Sequence, residues 1–137
     1  MNLSVSTKDL KQDEGIVYVL QIDLEEKQLV KIGITSRVKV EERVCEILTS
    51  IWKKYRIFPR CYVKRFKKTD EIAKKEATLH DYFDECSYET EHKFSGCTEF
   101  FDVTLDAVVD VYDRLLNGED LGDEYYKLEG KSADNPE

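Results

Sequence analysis

Gly15-Ile-Val-Tyr-Val-Leu-Gln-Ile22 and Leu29-Val-Lys-Ile-Gly-Ile-Thr35 are the stretches whose reading decides the fold. The first is β-branched or aromatic on both parities, the pattern of a strand covered on both faces. The second repeats that pattern. The polar residues Asp23 to Gln28 between them read as a loop, so the pair predicts an antiparallel hairpin. Gly33 interrupts the second strand, and a glycine inside a strand marks a bulge or a place where something approaches the backbone closely.

C-terminal to the hairpin, Val40, Val44, Ile47, Leu48 and Ile51 recur at helical spacing, which predicts a helix over residues 38–51 with Ser36 as its cap. Residues Arg56 to Phe66, interrupted by Pro59, suit a third strand at a sheet edge. A second helix is expected from Asp70 to Phe83, capped by Thr69, with Ile72, Ala73, Leu79, Tyr82 and Phe83 inward. Asp84 to Cys97 has no period and reads as a long loop, a candidate functional element. Thr98 to Val103 reads as a short aromatic strand. Thr104 then caps a third helix that ends at Leu116 before Asn117 and Gly118. The expected class is α+β, in one domain over residues 15–118. A polar, flexible arm (residues 1–14) precedes it and an acidic tail (residues 119–137) follows it.

At 137 residues, with 41% hydrophobic and 36% charged positions, the chain has material for one core under a strongly charged surface. That composition excludes a wholly disordered or low-complexity protein. No window approaches the roughly 20 apolar residues of a bilayer span, and the first residues lack the apolar core of a signal peptide. The expected location is the cytoplasm, that of the host cell if the protein is virus-encoded, with no membrane partner. Cys45, Cys61, Cys86 and Cys97 form no C-x-x-C pair and are expected as reduced thiols. The net charge of −8 argues against nucleic acid only as an average. Residues 31–75 hold 14 bases against 5 acids, whereas residues 99–137 hold 3 against 12. The basic middle is where a polyanion would sit.

Several separated features fit one kind of site: Tyr18 in the first strand, Lys31 and Gly33 in the second, Arg43 in the next helix, and Glu76 with His80 four residues on in the second long helix. Gly15-Ile-Val-Tyr18, Lys31-Ile-Gly33-Ile-Thr35, Glu41-Glu-Arg43, Glu76-Ala-Thr-Leu-His80 and Thr98-Glu-Phe-Phe101 together resemble the GIY-YIG nuclease superfamily. Within it they resemble the phage-type branch named after an open reading frame of the T-five phage, which carries a lysine in the second motif and a late Glu-Trp/Phe-Phe segment. The resemblance spans residues 15–103. It implies a small three-stranded antiparallel sheet flanked by helices, and metal-dependent endonuclease activity on DNA with one magnesium or manganese ion. It also implies roles: Glu76 holds the metal, Arg43 the phosphate, and Tyr18 orients or deprotonates the attacking water. Lys31 is expected to favour the Tyr18 phenolate. Lys31 stands where the superfamily usually has a second tyrosine. Ile47 stands where many relatives place a histidine or tyrosine, leaving His80 as the candidate replacement.

Each residue also has a plain structural reading. Arg43 can pair with Glu46 on its helix, Tyr18 can be a core tyrosine, and His80 a satisfied core histidine. His80, Cys86, His92 and Cys97 form a zinc alternative without the close pairs of structural zinc sites. Lys53, Lys54, Arg56, Arg60, Lys64, Arg65, Lys67 and Lys68 are interleaved with Trp52, Tyr55, Phe58, Tyr62 and Phe66, a pattern suited to nucleic-acid backbone contact and base stacking. Gly33 joins that set as a place for close approach. The rival functions are an inactive nucleic-acid or protein binding module on the same fold, and an inhibitor or adaptor whose acidic tail imitates DNA. The tail is expected to be mobile and mildly self-inhibitory toward the basic region. The other possibility is that Leu121, Tyr125, Tyr126 and Leu128 anchor it to the core, to a second copy of the chain or to another protein.

Overall fold

The computed structural model describes residues 13–127. Four strands, β1 (Gly15–Leu24), β2 (Lys27–Thr35), β3 (Cys61–Thr69) and β4 (Phe100–Phe101), form one antiparallel sheet in the order β3-β1-β2-β4. Three helices accompany it: α1 (Val40–Tyr55), α2 (Ile72–Tyr82) and α3 (Leu105–Leu116). The aromatic segment after the long loop adds the fourth strand to the three expected, pairing Phe101 with Val30 and Phe100 with Lys31.

The central strands are apolar on both parities because the sheet is covered on both sides. Val17, Val19, Val30 and Ile32 pack with Leu79 and Phe83 near α2 and with Val108 and Tyr112 of α3. Tyr18, Leu20, Ile22 and Leu29 pack with Ile47 and Ile51 of α1 and with Phe94 and Phe100. Each fully buried side chain of this size stabilises the fold by roughly 1.5–3 kcal/mol.

Several boundaries differ from the sequence reading, each for a local reason. The hairpin connection is two residues long, not the whole stretch Asp23 to Gln28. Glu25 and Glu26 both take positive φ (55° and 64°), as a tight turn between twisted strands requires. No glycine or asparagine announces this turn. The Glu25 carboxylate ties the turn down instead, accepting hydrogen bonds from the Tyr55 hydroxyl (2.5 Å), the Tyr88 hydroxyl (2.6 Å) and the Glu91 amide (2.7 Å). Ser36 is not the cap of α1. Lys39 occupies that position, and the turn before it is held by the Arg37 amide donating to Thr35 Oγ1 (3.1 Å). Because α1 runs on to Tyr55 and ends at Arg56 in the left-handed region (φ 60°), β3 starts at Cys61, after Pro59. Thr69 ends β3 opposite Gly15 and so does not cap α2, which begins behind Glu71 (φ 49°). Thr104 and Asn117 bound α3 as expected, and Gly118 takes φ 94°.

Of the residues named as possible anchors of the tail, Leu121 and Tyr126 pack on the core, whereas Tyr125 is exposed. Leu121 is buried among the α2 and α3 side chains, the Tyr126 ring lies 5.6 Å from Phe83, and the Tyr126 amide donates to the Tyr82 carbonyl (2.7 Å). Leu128 and the rest of the tail, like the first twelve residues of the N-terminal arm, lie outside the described residues. All four cysteines are free thiols. Among the described residues no helix is long and apolar enough to cross a membrane.

Candidate active site

Register places the first members of the site. Tyr18 pairs with Gly33 across β1 and β2, so both face α1. A Cβ at residue 33 would lie 2.5 Å from the Tyr18 hydroxyl and 2.6 Å from Cζ, so the close approach that Gly33 permits is that of the Tyr18 ring itself. That ring fills the space over Gly33 which the sequence reading assigns to nucleic acid. Tyr18 is fully buried, and its hydroxyl makes no hydrogen bond of good geometry, although the Arg43 guanidinium is close enough to favour the phenolate.

Lys31 is also fully buried. Its Nζ donates to Glu99 Oε1 (2.5 Å) and to the Gly96 carbonyl (3.1 Å). Burial pushes the ammonium pKa down and Glu99 opposes the shift. Gly96, with φ 81°, makes the contact possible, since a Cβ there would lie 2.7 Å from Nζ. Lys31 Nζ is thus paired with Glu99 and also lies 5.9 Å from the centre of the Tyr18 ring. Burial pushes the Tyr18 phenol up to about 12, against the pull of Arg43 and with the help of the Glu99 and Glu76 charges.

Arg43 reaches across from α1, its Nη1 donating to Glu46 Oε1 (3.1 Å) and to Ser95 Oγ (3.2 Å). The helix-surface pair is real, and Arg43 still lies against Tyr18 and Gly96. On the other side Glu76 stands on α2 facing Glu99. Burial, then the neighbouring Glu99 carboxylate, raises the Glu76 pKa to about 7, while Lys31 opposes. Glu76 Oε2 is buried without a hydrogen bond, 3.8 Å from His80 Nε2. His80 Nε2 lies 2.8 Å from the Ile32 carbonyl and so donates to it, on the edge of β2 just beyond the last β4 pair. That bond commits Nε2 and closes a strand edge.

Glu99, Gly96 and Ser95 are the members of this site to which the sequence reading gives no role. Glu99 sits inside Thr98-Glu-Phe-Phe101, and Gly96 closes the unpatterned stretch before Cys97.

The family model of the T5orf172 domain matches residues 15–116. The chain belongs to the T5orf172 domain family. This is a phage-type domain associated with a GIY-YIG-like nuclease fold, and membership is consistent with a nuclease-like or DNA-binding role. No curated protein and no solved structure matches it.

In this T5orf172 domain the basic run is divided between surfaces. Arg65, opposite Val19, donates Nε and Nη2 to the two Asp113 carboxylate oxygens (2.8 and 2.9 Å) and Nη1 to the Lys64 carbonyl, so its whole fork is engaged. Lys67, opposite Val17, belongs to the same face of the sheet, away from Tyr18. Phe66, opposite Tyr18, and Lys68, opposite Ile16, belong to the α1 face. Lys64 lies over the Tyr62 ring (5.3 Å), Arg56 over Trp52 (4.6 Å), and Lys53 and Lys54 are exposed in the last turn of α1. The zinc alternative fails. Cys86 and Cys97 are buried in different cores, His92 packs on Tyr55, and no group of three metal-ligating side chains occurs among the described residues.

The buried phenols predict a pH limit. Burial raises both Tyr18 and Tyr112 to about 12, and the Tyr112 hydroxyl also donates to the Val17 carbonyl (2.6 Å) and accepts from the Lys67 amide (2.9 Å). A phenol with a folded pKa above its unfolded value of about 10 contributes stability that is intact below pH 10 and lost as pH climbs toward 12. Melting temperature should therefore be flat near pH 9 and fall steeply above 10, with phenolate absorbance appearing together with unfolding. Titration of all eight tyrosines near pH 10 in a still-folded protein would contradict this.

Proposed function

We propose that the domain is a divalent-metal-dependent endonuclease that hydrolyses phosphodiester bonds in DNA. The observation that carries the reading is the convergence of a phenol, a guanidinium and a carboxylate with a buried, unpartnered oxygen: Tyr18, Arg43 and Glu76. Arg43 presents a planar fork suited to a phosphate, and Ser95 and Glu46 hold it in place. A phenol near 12 keeps its proton at neutral pH. Tyr18 therefore acts as a neutral phenol that orients the attacking water, with the Arg43 guanidinium beside its hydroxyl. Lys31 neutralises Glu99 and leaves Glu76 as the carboxylate with surplus negative charge.

The orphaned Oε2 of Glu76 suits one hard cation, which would be magnesium or manganese held by this single carboxylate and otherwise by water and phosphate oxygens. When bound, the cation supplies charge stabilisation at the leaving oxygen. His80 keeps Nε2 on Ile32 and serves to position the β2 edge and Glu76.

The complete burial of the Tyr18 hydroxyl favours a second reading, a binding module on the same fold without turnover. Magnesium-dependent nicking of a supercoiled plasmid decides between them. Under the nuclease reading Tyr18→Phe lowers the cleavage rate about a hundredfold or more while DNA affinity stays within a factor of two or so, since one hydroxyl and almost no volume is lost. A gel shift without nicking by the wild-type chain supports the binding module.

A further inference from the structure

Phe66 is the aromatic residue on β3 directly opposite Tyr18, so Phe66, Tyr18 and Gly33 form one row on the α1 face of the sheet. Directly paired side chains lie about 5 Å apart at Cβ. Yet α1 covers Tyr18 completely and leaves Phe66 58% exposed. The same step recurs along the strand pair. Leu20 is buried while its partner Val63 is exposed, and Ile16 is buried while its partner Lys68 is exposed. The α1 face of β3 is therefore an open shelf beside the site, with a ring at the level of Tyr18 and an ammonium next to it.

A second aromatic tier adjoins this shelf. Arg43 and Ser50 turn toward Ser95, on the β4 side of α1, and Trp52 projects from the opposite flank, the β3 side. Trp52 stacks on Phe58 (6.0 Å, 21°) and lies under Arg56. Among the described residues the exposed Arg60, just before β3, and the exposed Lys68, on the shelf itself, enter no salt bridge, so positive charge stands uncompensated at both ends of β3. Lysines along an edge strand also oppose its pairing with another strand. Exposed rings among free cations complement a polyanion that carries flat aromatic groups.

We propose that Phe66 is a stacking platform for an unpaired base of the bound strand, on the β3 side of α1 from Arg43, so that the preferred substrate is single-stranded DNA or a duplex with unpaired nucleotides near the cut. This rests on the phosphodiesterase reading of the Tyr18 site. A base reaches the face of Phe66 only after leaving its own stack, so an intact duplex cannot use the platform.

The test is equilibrium binding by the full chain, with divalent metal chelated so that no cleavage intervenes. The probe is an oligonucleotide of about 15 nucleotides, a length within the usual single-strand site sizes, carrying 2-aminopurine, offered alone and annealed to its complement. The expected result is tenfold or more tighter binding of the single strand, with quenching of the fluorescent base. Phe66→Ala should weaken single-strand binding by about tenfold or more and leave duplex binding unchanged, whereas Phe66→Trp keeps the preference and Phe66→Leu does not. Equal affinity for the two forms, with Phe66→Ala without effect, overturns the platform and leaves the nuclease reading intact. Failure to bind either form overturns both. A shift from dimer to monomer in Phe66→Ala with unchanged DNA affinity makes the shelf a self-association surface and likewise overturns the platform. Because Phe66 is exposed, an unchanged melting temperature verifies that each variant is folded.

Discussion

Glu76→Ala is expected to abolish magnesium-dependent cleavage, a loss of about a thousandfold or more, in a protein that is folded and no less stable than the wild type at pH 8. The rate loss follows from removing the assigned metal ligand, since charge stabilisation by a bound cation contributes several kcal/mol and each 1.36 kcal/mol is about tenfold in rate. The stability expectation follows from the direction of the Glu76 shift. Its pKa is raised to about 7, first by burial and then by Glu99. A carboxyl whose folded pKa exceeds its unfolded value near 4.5 contributes stability that is present below that value and lost as pH rises through about 7. At pH 8 the metal-free protein therefore carries an uncompensated carboxylate, which alanine removes. Thermal melts at pH 8 should show the metal-free variant equal to or above the wild type, with magnesium raising the melting temperature of the wild type alone. A folded Glu76→Ala protein that still cleaves would remove the metal from Glu76.

Gly33→Ala is expected to disable the site from within. The added methyl would sit 2.5 Å from the Tyr18 hydroxyl, 2.6 Å from Cζ and 3.0 Å from Glu99 Oε1. Tyr18 has no room to step aside, because it is fully buried against the α1 residues Val40, Ile47 and Ile51. Overpacking of this kind costs about 1–3 kcal/mol, visible as a lower urea midpoint at unchanged slope. Displacing Tyr18 and Glu99 together should also lower the cleavage rate by more than Tyr18→Phe does. An unaltered midpoint would mean that the ring swings clear, and that Gly33 serves something other than Tyr18.

The sequence by itself determined the central hairpin, the order of the helices and the membership of Tyr18, Lys31, Arg43 and Glu76 in one constellation. Hydrophobic parity over residues 15–35 and helical spacing over 40–51 and 105–116 are local signals, and burying an apolar face leaves few alternatives for them. Elements whose ends depend on distant partners were legible only in part. The turn at Glu25 and Glu26 lacks turn residues because Tyr55, Tyr88 and Glu91 hold it from elsewhere in the chain. Thr69 reads as a helix cap, but pairing with Gly15 draws it into β3.

Only the tertiary structure decided the electrostatics of the site. Lys31 and Glu99 stand 68 residues apart, and nothing local in either stretch announces that the ammonium is buried against that carboxylate. The same holds for Arg65. In the sequence it is one cation of a basic run, but strand alternation sends it to the far face, where Asp113 takes its fork, while Phe66 next to it comes up beside Tyr18. Side chains in a strand alternate between faces whatever their charge. A run of bases in sequence therefore becomes two different surfaces, and the partners that packing brings to each face decide which cations and rings remain open.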